Sequence, residues 1–239
     1  MDSESFAVLF PDLARKILAR TNAADSPQAA LELEERRREA AEQLRSIQAL
    51  AQRLGARYAP DQVSLEDFVN YHAGQAAVLK QVKAIAGRVR EFVEAGRGLV
   101  LYGSVGTGKD YLLAALLYAA LESGLSADWV NGLEVFRAFR DAMTTDEQER
   151  AVLARFTKPA VLGMSDPLPP LGESNAWRTE TLYRVLDARY REGRPTWVTV
   201  NVLSPEDADA KLSAPVFDRL RHDAELVKCF WPSYRERKS

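Results

Sequence analysis

Residues 103–109 read Gly103, Ser104, Val105, Gly106, Thr107, Gly108, Lys109, which is a G-x-x-x-x-G-K spacing. Glycines at those places let successive backbone N–H groups turn inward around an anion. A helix starting behind them adds the positive end of its dipole, and the lysine brings a mobile cation to the outer phosphate oxygens. The chemistry is phosphate cradling, with contacts expected from Gly103, Val105, Gly106, Thr107, Gly108, Lys109, Asp110 and Tyr111. One residue breaks the pattern. The position after the lysine normally carries a Ser or Thr hydroxyl for Mg²⁺, and this chain has Asp110. A carboxylate can ligate Mg²⁺ but also repels phosphate, so nucleotide binding is expected in altered form and hydrolysis is expected to be weak.

Such a loop needs an acidic residue at the end of a neighbouring buried strand. The candidate is the apolar run at 160–164, followed by Ser165 and Asp166. Aligned in the usual way, Ser165 stands where the metal-holding carboxylate belongs and Asp166 in the catalytic place. A shift of one residue gives Asp166 the metal, and a turn role before Pro167 is the remaining alternative. The expected metal ligands are Asp110 and Asp166. Asn201 ends the strand-like TWVTVN and can aim its amide at a γ-phosphate or an attacking water. Arg219 and Arg235 are candidates for phosphate contact, within the chain or from a neighbouring copy, and serve equally well as surface ion-pair residues. Phe136, Arg137 and Arg140 interleave an aromatic with arginines on one helical stretch, a pattern that suits either base stacking or ordinary packing.

These residues need elements to position them. Leu99, Val100, Leu101 and Tyr102 form a short apolar run before the loop, and a helical apolar pattern follows Lys109. Further strands are expected at 127–130, 159–164, 197–201 and 226–230, with helices at 75–93, 133–143, 146–156 and 179–191. Ser64 to Phe68 resembles a capped helix entry. Strands alternating with helices predict an α/β fold with a parallel sheet covered on both faces. Ahead of it, 6–18 carries Phe6, Leu9, Phe10, Leu13, Ile17 and Leu18 at helical spacing, and the chain from Pro27 to Gly55 lacks an internal Gly or Pro and predicts one long helix. Its first half is charged nearly all round, which reads as a solvated face or a docking arm. The domains expected are 1–59, a helical segment that the family resemblance given below makes partner-binding, and 60–239, the phosphate-loop domain.

The 239 residues carry a formal net charge of −2, so any nucleic-acid role must come from local basic patches. Cys229 is the single cysteine, which excludes an internal disulfide and a cysteine-rich zinc site. No apolar run is long enough to span a membrane, and a cytoplasmic protein is expected.

GSVGTGKDYLLAAL, RPTWVTVN and DRLRHDAELVKCFWPSYR together resemble the DnaC/IstB family of AAA+ ATPases, the helicase loaders and transposition helpers. The resemblance runs from about residue 64 to 237 and is closer to the DnaC-type loaders. It implies a P-loop AAA+ three-layer sandwich that uses ATP and Mg²⁺. It also implies roles: Lys109 as the Walker A lysine, Ser165 and Asp166 in the places of the Walker B pair, Asn201 as sensor 1, Arg219 as a finger acting on a neighbouring copy in self-assembly, and Arg235 as a sensor-2-like arginine. The partners implied are a replicative helicase, gripped by the N-terminal helices, and single-stranded DNA near Phe136, Arg137 and Arg140. The function implied is helicase loading in DNA replication. Its rivals are IstB-like help to a transposase on duplex DNA and a nucleotide-independent adaptor or inhibitor of a helicase.

Overall fold

The structure is a computed structural model that describes residues 27–143, 146–167, 176–202, 207 and 214–235. The helix expected at 6–18 lies outside the described residues. The chain divides into two units, 1–64 and 65–239.

In the first unit, α1 (Pro27–Leu54) runs 28 residues without a break. Its first half is exposed, whereas Ala40, Leu44, Ile47, Leu50 and Leu54 recur every three or four residues and are buried. Gly55 ends it at φ 80°, a left-handed turn that glycine takes without a Cβ clash. A single 3-10 turn (Ala56–Tyr58) follows.

The second unit is a five-stranded sheet in the order β2-β3-β4-β1-β5, with every pair parallel. The strands are β1 (Leu99–Gly103), β2 (Ala127–Asn131), β3 (Val161–Ser165), β4 (Thr196–Asn201) and β5 (Glu225–Cys229). The helices are α2 (Ala73–Gly87), α3 (Val89–Glu94), α4 (Lys109–Glu122), α5 (Gly132–Asp141), α6 (Asp146–Thr157), α7 (Ala176–Arg191) and α8 (Ala214–Arg221). Two expectations change. The helix predicted over 75–93 is two helices, broken at Arg88 (φ −129°, ψ 32°) just after Gly87, whose poor helix propensity makes it a natural break. The capped entry is not at Ser64 but at His72, whose ring accepts from Gly74 N–H while the buried Gln75 side chain accepts from Tyr71 and His72 N–H.

Strand side chains alternate between two faces. Val100, Leu162, Met164, Val198 and Val200 point to the core shared with α5, α7 and α8. The opposite set faces α2, α3 and α4: Trp197 meets Phe92 edge-on, and a Cβ at Gly163 would lie 2.5 Å from Leu117 of α4. Ser165 and Thr199 belong to this second set, directly opposite each other in the β3–β4 register.

The far end of the sheet is fastened by Arg189, which is fully buried. It donates to the carbonyls of Phe156 (2.9 Å), Pro159 (3.0 Å) and Pro195 (2.6 Å) and to Thr196 Oγ1 (3.1 Å). Burial pulls its guanidinium down to about 9, still above neutrality, so it stays a cation. Truncation strands those carbonyls in the interior. Arg189→Ala is expected to lower the unfolding free energy by about 3–5 kcal/mol, read by urea denaturation.

Candidate functional site

The phosphate loop joins β1 to α4, as the spacing predicts. Gly106 (φ 79°) and Gly108 (φ 88°, at the N-cap of α4) hold left-handed conformations. A Cβ at Gly106 would sit 2.1 Å from Ser233 Oγ, so the loop closes against the C-terminal strap only as glycine. The strap holds the loop by two further hydrogen bonds. Trp231 Nε1 donates to Thr107 O at 3.0 Å and Tyr234 N–H to Gly106 O at 2.9 Å. Phe68 lies under Gly108 and beside Tyr111, and Tyr71 donates to Pro232 O at 2.7 Å.

Lys109 is buried and its ammonium donates to Ser104 O (2.6 Å), Gly103 O (3.1 Å) and Thr107 Oγ1 (3.4 Å). Burial pushes it below the ordinary lysine value, opposed by the carboxylates of Asp110 and Asp166, with Arg235 adding to the depression. The Cys229 thiol is pushed up to about 12 by burial and stays protonated. Carbonyls of the loop thus hold the cation in the place of phosphate oxygens.

On the strand side, Asp166 follows β3 at φ 47°, its N–H bonded to Thr199 O at 2.9 Å. Asn201 Nδ2 donates to Asp166 Oδ2 at 3.1 Å, joining the ends of β3 and β4. Ser165 Oγ donates to Asp110 Oδ1 at 2.8 Å, and Thr199 Oγ1 donates to the same oxygen at 2.7 Å. Asp110 and Asp166 are the carboxylates at this edge. Mg²⁺ is commonly held by one or two carboxylates together with substrate phosphates and water. Carboxylates at the edge of the phosphate loop suit that coordination.

Lys109, Asp110, Asp166 and Asn201 converge on one edge, with the exposed Arg235 close enough to act on Lys109 electrostatically. Arg219 is elsewhere. It lines a cleft with Gly98 and Thr196 at the opposite ends of β1 and β4, paired to Asp187 at 3.4 Å and stacked 4.7 Å from the Tyr190 ring centre. Phe136 is corrected from a base-stacking candidate to a core residue: its ring is buried in the cluster around α5 and α7, while Arg137 and Arg140 stay exposed. Thr199, Trp231 and Ser233 were not among the expected site residues. Strand alternation places Thr199 on the α4 side, but its partner depends on register, which the sequence alone does not state.

A family model described as IstB-like ATP binding protein matches residues 10–239. A putative ATP-binding protein in an insertion sequence of Mycobacterium tuberculosis is 27% identical over 202 residues, covering 81% of this chain and 76% of the relative. A putative insertion sequence ATP-binding protein of Sinorhizobium fredii is 27% identical over 199 residues, covering 82% of this chain and 65% of its own length. Among solved structures, the DnaC helicase loader superposes with a TM-score of 0.62 at 20% identity, over 73% of this chain and 99% of that one. DnaI superposes at 0.56 with 27% identity, over 72% and 90%.

The strap makes a prediction of its own. Trp231→Phe keeps an aromatic side chain but loses the indole N–H bond to Thr107 and part of the buried volume, and is expected to cost about 1–3 kcal/mol of stability and to weaken nucleotide binding several-fold. Calorimetric titration with ATP reads the second effect.

Proposed function

The chain belongs to the IstB-like ATP-binding protein family, and from that premise we propose that it is an ATP-switched helper that assembles on DNA and activates or delivers a partner enzyme, of the kind insertion sequences use. The observation that carries this reading is the Asn201–Asp166 hydrogen bond beside the phosphate loop. It joins the ends of two strands near Lys109, so a terminal phosphate bound to that lysine would act on both strand ends together. The curated relatives, both named for insertion sequences, support the choice of partner class.

The residues divide the work. Loop N–H groups from Gly103 to Gly108 wrap the phosphates, and Lys109 exchanges its carbonyl partners for phosphate oxygens. Asp166, oriented by the Asn201 amide, accepts a proton from the attacking water. With Asp166 in the catalytic place, Asp110 would hold Mg²⁺, which when bound would neutralise charge on the phosphate oxygens. Turnover is weak, because Ser165 stands where a metal-holding carboxylate is usual. Arg219, at the far edge, can serve only the site of a neighbouring copy, and Arg235 steadies the phosphates of its own. Arg137 and Arg140, exposed on α5, meet DNA phosphates.

A second reading is delivery of a replicative helicase onto single-stranded DNA, with the charged first half of α1 as the grip. The likeness to DnaI at 27% identity favours it. Two assays separate these readings. ATP-dependent filaments on duplex DNA, seen by electron microscopy and lost in Lys109→Ala, are expected for the transposition helper. Stable co-purification with a hexameric helicase, lost on deleting 1–59, with no duplex filaments, would replace it with the loader.

A further inference from the structure

In the usual phosphate-loop site the helix carries a hydroxyl and the neighbouring strand a carboxylate. Here the two have changed places. The carboxylate is Asp110, in the first turn of α4, and the hydroxyls are Ser165 on β3 and Thr199 on β4. Both hydroxyls donate to Asp110 Oδ1, at 2.8 and 2.7 Å, and lie 3.4 Å from one another. Two donors on one oxygen fix the orientation of the carboxylate. Oδ2 takes part in neither bond.

This pinned negative charge adjoins Lys109 in sequence and acts on its ammonium electrostatically, so phosphates that reach the lysine also meet the carboxylate. Lys109 is a single cation, and a nucleoside triphosphate brings several negative charges. We propose that Asp110 makes the phosphate site cation-gated: nucleotide enters only together with a divalent, oxygen-seeking cation that Asp110 helps to hold, because the fixed carboxylate rejects uncompensated phosphates. An ordinary hydroxyl at this position imposes no such condition. The inference rests on the nucleotide-binding reading of the loop and extends it to the form of nucleotide accepted.

Calorimetric titration of the full chain with ATP, in Mg²⁺ and in EDTA, tests it. The wild-type protein is expected to bind Mg-ATP and to lose about a hundredfold in affinity in EDTA. Magnesium helps many nucleotide sites, so the deciding variant is Asp110→Asn. It is expected to bind metal-free ATP about tenfold more tightly than the wild-type protein does, with most of the Mg²⁺ dependence gone. The double exchange Asp110→Ser with Ser165→Asp returns the charge to the strand and is expected to improve metal-free binding as well, which keeps the test decisive if the single variant misfolds. Thermal melts without nucleotide establish that each variant is folded. Equal wild-type affinity with and without Mg²⁺, or folded variants that bind metal-free ATP no better than wild type, would overturn the gate while leaving the nucleotide site standing. No binding in either condition would overturn the nucleotide reading and the gate with it.

Discussion

The registration of β3 against β4 is the constraint on which the site depends. Because strand side chains alternate, a slip of one residue sends Ser165 into the core around α5 and α7 and brings Met164 beneath α4. Apolar burial on both faces prevents that slip: Leu162 and Met164 fill one side, and Val161 and Gly163 close against the other, where Leu117 leaves no room for a larger residue than glycine. The hydrogen bonds to Asp110 are therefore held by a packed sheet and not by the few residues that make them. The same register sets Asp166 and Asn201 at adjoining strand ends, so one packing solution positions both halves of the acidic edge.

At that edge, a cation and two carboxylates must coexist partly out of water. Lys109 is buried, and burial disfavours its charge, yet three oxygens of the loop surround the ammonium. Those oxygens replace part of the lost hydration, and the neighbouring carboxylates lower the remaining cost. The loop is thus closed on its own lysine, fastened from outside by Trp231 and Tyr234. A phosphate has to compete with carbonyls for the lysine and with a fixed geometry for the backbone. The strap matters for this reason: it engages the carbonyls of Gly106 and Thr107, so that they do not join those of Gly103 and Ser104 on the lysine.

Much of this was legible in the sequence because it rests on local signals. G-x-x-x-x-G-K, the apolar runs and the long uninterrupted stretch to Gly55 placed the loop, the strands and α1 close to where they lie. What stayed hidden depends on long-range pairing. Thr199 is an unremarkable strand residue until β4 is known to adjoin β3, and Ser233 has no role until the chain end is laid over Gly106. The aromatic and arginine pattern of 136–140 was ambiguous by nature: an amphipathic helix buries its aromatic stripe and exposes its cations, and α5 does so with Phe136 and Phe139 against Arg137 and Arg140. The break at Arg88 is not legible in the sequence because the apolar spacing continues across it, and only one glycine marks the place.

Ser165 and Asp110 read in sequence as two separate losses, one at each half of the metal site. In the fold they form a single exchange, since the same two positions are still joined by a hydroxyl-to-carboxylate hydrogen bond, with donor and acceptor reversed. The exchange conserves charge but moves it. Ser165 is 5% exposed, whereas Asp110 is only half-buried and lies in the first turn of α4, where the helix dipole favours an anion. A carboxylate at the strand end would have to lose nearly all of its water, and on the helix it keeps part of it. The exchanged arrangement is therefore easier to maintain than a buried strand carboxylate, and its cost falls on the nucleotide, whose phosphates meet the negative charge beside Lys109. Fold stability and ligand acceptance are in this way set by the placement of one charge.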